Sequence, residues 1–584
     1  MRTLIAGLLF VAGCGCSNKA ANNPNVINMM VGNSLFTDKA RYAPNEAVAF
    51  TLEHTAPAGS KVRYRHLGAI LAEETLTGKS WTWTPPATDF KGYLAEVYQE
   101  AAGKEKIIAT VAVDVSSDWT RFPRYGFLSE YGVKTVAETN AVIEYLNRHH
   151  INSIQYYDWL FDHHKPLAGT ASAPAASWPD LINRTNFRTT IDNYIAAAKS
   201  RNMASMFYDL CYGALQNAAA DGVAESWYLF KDNAHTNKDK HDLSSPFRSS
   251  IYVANPANGE WLDYFSGRIA EVYAGYDFDG FHIDQLGNRG TVYDYSGNTV
   301  DMPEGFAAFV QRMSTDFPQK RHAFNAVGGY GKQQTANAGV DFIYSELWGD
   351  TPSYADLKTL TEENLRYNSA LNCVYAAYMN YDLGKTKSTF NTSGILMTDA
   401  VMFALGASHI ELGEHILNNE YFPNDNLQPD NTLKAALIRY YDFLVAYQNI
   451  LRDGGTFNML NVASSGKTNV VAWPPQTGKI ISLPKKVGNK QVIHLFNFAN
   501  AAHLQWRDVN GTQPEPQMQQ NVSLQINVSQ PVAKAWVATP DKEGKMYEEV
   551  VLNAGDGNLT VTVPAIKYWT MLVLEFVAND FLEE

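Results

Sequence analysis

The chain has 584 residues, 45% of them hydrophobic and 18% charged, which excludes a disordered chain and is too long for one domain. Its formal net charge of −13 excludes nucleic acid as the main partner, because no basic face is implied. Aromatic residues make up 12%, which suits a stacking surface for flat neutral ligands and equally any β-rich fold.

The N-terminal stretch MRTLIAGLLFVAGCGCSN has Arg2, an apolar run from Leu4 to Ala12, small residues and Cys14. The run is too short to span a bilayer as a stable helix and has the layout of a secretory signal. VAGC, Val11 to Cys14, also resembles a bacterial lipobox, whose cysteine becomes the lipidated first residue of the mature protein; Cys16 is a second candidate. Residues 1–25 are therefore expected to be signal, lipobox and polar tether. The protein is then an exported bacterial lipoprotein of the outer membrane, cell surface or periplasm, touching the membrane only through its lipid. An ordinary signal peptide with incidental cysteines is the plainer alternative. Cys211 and Cys373 form no metal or disulfide framework and are expected in the core.

Residues 26–118 read as short alternating strands between turn signals, among them KVRYRHL, SWTWTPP and KIIATVAVDV, and predict a β-sandwich. From 119 to 454 strand-like and helical runs alternate. Strands are expected at 125–131, 153–160, 204–210, 280–286, 322–327, 341–347, 372–380 and 408–412. Between them lie helical segments such as GEWLDYFSGRIAEVYAGY, where Trp261, Tyr264, Phe265 and Ile269 recur at helical spacing. Eight such units predict a (β/α)8 TIM barrel. A doubly wound sheet is the runner-up, but the glycine-rich phosphate turn usual after its first strand is missing. Residues 455–584 return to alternating strands, QVIHLFNFA and YWTMLVLEF among them, and predict a second, C-terminal β-sandwich. The fold class is thus multidomain, a central barrel flanked by two β-domains.

DFDGFHIDQLG, residues 277–287, puts carboxylates into an otherwise apolar strand. In a barrel strand, side chains alternate between the interior and the helix layer, so Asp284 shares the inward parity of His282. It also lies near the strand's C-terminal end, the mouth where barrel enzymes work. Asp279 precedes the strand and is expected to make a loop or capping contact at the opposite end. A carboxylate is costly to bury unless paired or hydrogen-bonded, so Asp284 suggests a task; a structural aspartate satisfied by a loop is the competing reading. DFIYSELWGD, residues 341–350, supplies Glu346 at the equivalent end of a strand two further round, followed by Trp348. Carboxyls about 5 Å apart suit retaining glycoside hydrolysis, and a larger gap suits inversion. Other strand ends carry Tyr157, Asp158, Tyr208, Asn325 and Asn380, the aromatic platforms and fixed polar groups of a carbohydrate site. The adjacent pairs His149-His150 and His163-His164 lack ligand spacing, no H-E-x-x-H or G-x-S-x-G occurs, and neither metal nor cofactor is expected.

DGFHIDQLG followed by FIYSELWG resembles glycoside hydrolase family 66, which contains dextranases and cycloisomaltooligosaccharide glucanotransferases. The resemblance implies an N-terminal immunoglobulin-like domain, a catalytic barrel and a C-terminal β-domain. It implies action with retention on α-1,6-glucan polysaccharide or isomaltooligosaccharides, Asp284 as nucleophile and Glu346 as general acid/base. It further implies substrate contacts at Tyr157, Asp158, Tyr208, Gln285, Asn325, Trp348 and Asn380. Cyclising members resemble this chain but carry a large carbohydrate-binding insertion in the barrel; here only the loops 161–186 and 211–250 are long. An endo-acting, monomeric dextranase is therefore expected. A cyclising or transglycosylating glucanotransferase and a non-catalytic surface glycan-binding lipoprotein are the alternatives.

Overall fold

The computed structural model describes residues 35–577 apart from 102, 465, 467, 556 and 557. The lipobox with Cys14 lies outside the described residues. Eight parallel strands run in sequence order: β1 (Tyr125–Leu128), β2 (Ser153–Tyr156), β3 (Ala204–Leu210), β4 (Gly280–Asp284), β5 (Arg321–Val327), β6 (Phe342–Leu347), β7 (Cys373–Ala377) and β8 (Ser408–His409). The Phe127 amide donates to the Leu412 carbonyl at 3.1 Å and joins the two ends into a nearly closed barrel. These are the eight strands expected from the alternating pattern. Several end earlier than the apolar runs do, because the runs continue into the loops of the mouth.

Helices follow the strands: α1 (Val136–Arg148), α2 (Arg188–Ser200), α3 (Gly259–Gly275), α4 (Met302–Asp316), the single turn α5 (Lys332–Thr335), α6 (Tyr354–Tyr367), α7 (Thr392–Ala404) and α8 (Asn431–Ala446). Their starts are written locally. Thr135 and Glu138 form a capping box on α1, and Ser353 and Asp356 do so on α6. Asn258 caps α3, whose buried stripe is Trp261, Phe265, Ile269 and Val272. Tyr125, Met206, Phe342, Tyr344 and Val374 fill the barrel interior, so the floor of the mouth is a packed aromatic plug. Gly280 opens β4 because a side chain there would strike Met206 and the Arg321 carbonyl. Asp279, just before it, accepts at 2.8 Å from the amide of Ser205 near the start of β3, so its contact is with the neighbouring strand rather than the expected loop or cap.

On the N-terminal side, strands Leu35–Thr37, Val48–Leu52 and Ser80–Trp83 form one sheet. Strands Lys61–His66, Ala69–Thr75, Lys91–Ala101 and Lys104–Val115 form another, and both sheets share a core around Phe50, Tyr64, Val97 and Val111. On the C-terminal side two further sheets enclose Ile493, Leu524, Val561 and Leu574. Cys211 and Cys373 are buried and unbridged. Among the described residues no helix is long and apolar enough to cross a membrane.

The barrel and the N-terminal sheets are joined at Asp442 of α8. Its carboxylate accepts from both Arg148 amino groups at 3.1 and 3.0 Å, from His150 Nε2 at 2.7 Å and from the Ala112 amide at 2.9 Å, all out of solvent. Burial alone would raise this carboxyl; Arg148 and His150 outweigh it and hold it down to about 2. The depressed value makes its stabilisation present above the unfolded carboxyl range, near 3.9, and lost as pH falls through about 2. Asp442→Ala would strand the buried Arg148 guanidinium and leave the His150 ring N–H and the Ala112 amide without their acceptor, and is expected to cost about 3–5 kcal/mol in denaturant unfolding. A loss below about 1 kcal/mol would mean that Arg148 and His150 find other partners.

Candidate active site

Residues of inward parity on β3 to β7 converge at the C-terminal mouth. Asp284 ends β4. Its Oδ2 accepts from the Tyr208 hydroxyl at 2.8 Å, and its Oδ1 accepts from the Asn325 amide nitrogen at 2.8 Å and from the Gln285 backbone at 2.8 Å. Glu346, near the end of β6, accepts from the Tyr378 hydroxyl at 2.7 Å and from the same Asn325 nitrogen at 3.1 Å. One amide nitrogen thus bridges the two acids. Bonds of 2.8 and 3.1 Å to a shared atom keep the nearest carboxyl oxygens under about 6 Å apart.

The two acids have different environments. Burial raises Asp284 to about 6, against the pull of Tyr208, the Gln285 amide and Asn325. Burial, and then the charge of Asp284, raise Glu346 to about 7, against donation from Tyr378 and Asn325. Near neutral pH the pair therefore divides into an ionised Asp284 and a Glu346 that holds its proton, the division needed by paired acid–base chemistry.

Aromatic walls surround the pair. Tyr157 stacks on Phe422 with ring centroids 4.3 Å apart, leans on Tyr208 at 5.2 Å and donates its hydroxyl to the Glu420 carbonyl. Trp348 packs against Tyr378 at 5.4 Å and Tyr381 at 6.3 Å, and the Tyr381 hydroxyl donates to Glu420 Oε1 at 2.8 Å. Asp158 sits half-buried beside Tyr157 with φ of 47°. Burial raises it to about 7, with Arg184 opposing and Asp180 and Asp284 adding. The C-terminal segment closes one side: the Arg507 guanidinium lies 4.9 Å from the Tyr381 ring centre and 5.5 Å from that of Trp348, and its Nε donates to the Tyr378 carbonyl.

Asp284, Glu346, Tyr157, Asp158, Tyr208, Asn325 and Trp348 are thus brought to one mouth. Two expected contacts are turned elsewhere. Gln285 has the opposite parity to Asp284 and is 2% exposed; its side chain donates to the Asn325 carbonyl and accepts from the Gly287 amide. It props the strand end, and Gly287, at φ of 77°, turns the chain away. Asn380 is fully buried: its amide donates to the Asp508 carbonyl and accepts from the Asn391 amide, so it ties the β7 loop to α7 and the C-terminal segment. The histidine pairs are structural too, with His163 on Asp209 and His150 on Asp442.

Tyr378, Glu420 and Arg507 were not expected. Tyr378 has the parity of Val374 and Ala376, so the inward-parity rule on β7 reaches it. Glu420 and Arg507 come from loops that only the tertiary fold brings to the mouth.

A family model described as glycosyl hydrolase family 66 matches residues 37–573. A cycloisomaltooligosaccharide glucanotransferase of Niallia circulans is 26% identical, over 94% of this chain and 72% of its own length. A dextranase of Streptococcus salivarius is 22% identical, over 89% of this chain and 70% of its own. The crystal structure of a Paenibacillus cycloisomaltooligosaccharide glucanotransferase complexed with cycloisomaltoheptaose superposes with a TM-score of 0.86 at 25% identity, covering 93% of this chain and 99% of that one. A family match running through the β-domains as well as the barrel, with two bridged acids at the mouth, leaves one conclusion: the chain belongs to glycosyl hydrolase family 66.

Proposed function

We propose that the protein is an endo-acting hydrolase of α-1,6-glucosidic linkages in dextran that works by retaining double displacement. The observation that carries this reading is the Asn325 bridge, because carboxyls held this close suit a nucleophile and an acid/base rather than two acids with a water between them. Glu346 gives its proton to the glycosidic oxygen as Asp284 attacks the anomeric carbon; the C–O bond to the leaving sugar breaks and a β-glucosyl ester forms on Asp284. Glu346 then takes a proton from water, which attacks the same carbon, breaks the ester and releases sugar in the α configuration. Tyr157, Tyr208 and Trp348 supply faces for sugar C–H surfaces, and Asp158 accepts from a hydroxyl.

Hydrolysis rather than cyclisation is favoured by one feature. The alignment to the Niallia transferase runs to 722 positions, longer than this chain of 584, so that relative carries stretches within the matched span that are missing here. A second reading, a cyclising or transglycosylating glucanotransferase, draws on the identity to such enzymes. Incubation with dextran, pullulan and starch followed by product sizing separates them. Expected is a fall in dextran length with linear isomaltooligosaccharides and new reducing ends, and no action on starch. Cyclic products without new reducing ends would select the transferase, and glucan binding with no product at all would select a non-catalytic glycan-binding protein.

In this reading an immunoglobulin-like domain over 26–118 and a β-sandwich over 455–584 flank the barrel at 119–454, and Cys14 carries the lipid of an exported lipoprotein. Cells fed labelled palmitate are expected to label the protein, with the label lost in Cys14→Ala; label retained by that variant would move the anchor to Cys16.

A further inference from the structure

On the outer side of β8, facing α7 and α8, lie three side chains with no part in the mouth. Asp399 is on α7, His409 on β8, and Glu411 two residues on. All are at most 1% exposed, while Ile410 between the last two points into the barrel interior. His409 Nε2 lies 2.7 Å from the Ala377 carbonyl oxygen, which can only accept, so that nitrogen carries a proton. His409 Nδ1 then faces Asp399 Oδ1 at 2.9 Å and Glu411 Oε2 at 3.5 Å. Asp399 Oδ2 and Glu411 Oε2 are buried with no hydrogen-bond partner, and the nearby Tyr441 hydroxyl is taken by Glu411 Oε1 at 2.9 Å. The imidazole Nδ1 and one oxygen of each carboxyl thus lie within 4.8 Å of one another, all buried, with the Asp399 and Glu411 carboxyls in hydrogen-bonding contact once one of them holds a proton. Two buried carboxyls in such a place must be neutralised, by a cation or by protons.

We propose that Asp399, His409 and Glu411 bind one divalent transition-metal ion of the zinc class, in a closed structural site that pins β8 to α7. The donors are one imidazole nitrogen and carboxylate oxygens, a set that suits zinc; calcium and magnesium call for more oxygens than this pocket offers. The His409 Nε2–H bond to a backbone carbonyl is the outer contact that fixes a metal-bound histidine, and Asp399 Oδ2 is available as a fourth donor. A doubly charged ion balances the two carboxylates, so nothing net is buried. The site connects to the mouth: the Ala377 carbonyl immediately precedes Tyr378, whose hydroxyl donates to Glu346. The competing way to neutralise the cluster is protons held by the two carboxyls, since burial pushes both up to about 8, with the charge of Asp399 adding to Glu411.

The test uses the full-length mature enzyme, purified with a tag free of histidine and without chelators, and reads metal by mass spectrometry. Expected is about one equivalent per chain that survives dialysis against EDTA in the native state and is released when the chain unfolds in EDTA. Refolding with Zn²⁺ is expected to restore the melting temperature, and refolding in chelator to lower it. His409→Gln and Glu411→Gln, both close in shape to the originals, are expected to retain under about a tenth of an equivalent. Wild-type enzyme below about a tenth of an equivalent, with the same melting temperature refolded with or without Zn²⁺, Mn²⁺ or Co²⁺, overturns the proposal in favour of protons on the carboxyls. So do variants that keep the full equivalent. If neither variant folds, the wild-type metal content decides alone.

Discussion

Asp284→Asn is expected to lower turnover on dextran by on the order of 10⁴-fold or more, with the fold kept. The asparagine can keep most contacts of the aspartate. Its oxygen can accept from Asn325 and the Gln285 amide, and its NH₂ can donate to the Tyr208 hydroxyl, which turns from donor to acceptor. What it cannot do is attack, because an amide oxygen neither carries the charge nor forms the glycosyl ester. Melting temperature is therefore expected to stay close to that of the unaltered enzyme while the rate collapses. A fluorinated glucosyl donor that slows the second step is expected to add its sugar mass to the peptide bearing Asp284 and to no other. Turnover within about tenfold of the parent, or a label on another acid, would take the nucleophile's role away from this residue.

The sequence discloses this part of the molecule because burying a carboxylate is costly, so a strand with one at its end stands out. Period-two alternation then says which way it points, and the (β/α)8 pattern says which end is the mouth; Asp284, Glu346, Asn325 and Tyr208 all follow. The same rule reaches Tyr378, whose hydroxyl and parity are both readable. It also warns against Gln285, one position out of phase, which packs behind the strand. Asn380 is misread for another reason. It lies past the strand end, where alternation has stopped, and at φ of 52° its side chain is claimed by Asp508 and Asn391, partners no local pattern predicts. Arg507 and Glu420 are beyond reach in the same way, because each contributes only after long-range closure of the chain. Loops obey tertiary contacts, strands obey a period, and only the second is written residue by residue.

Glu346→Gln is expected to fail differently from Asp284→Asn, and that difference tests the division of labour. Glutamine has no proton to give, so hydrolysis of dextran, whose leaving group is a poor one, is expected to fall about 10²–10⁴-fold. Glucosides with a nitrophenolate leaving group need no proton on departure, so their first step is expected to survive and the glycosyl enzyme to accumulate. The pH profile supplies the sign. In the parent, the rate on dextran is expected to fall as pH drops through about 6, where Asp284 takes up a proton, and to fall again as pH rises through about 7, where Glu346 loses its own. The two limbs belong to the pair rather than to separate residues, since the charge of one raises the other. Removing the charge of Glu346 should therefore erase the alkaline limb and leave the acid one. A variant that keeps the alkaline limb, or that loses nitrophenyl and dextran activity equally, would require a different proton donor at the mouth, with Asp158, also raised to about 7, as the next carboxyl to replace.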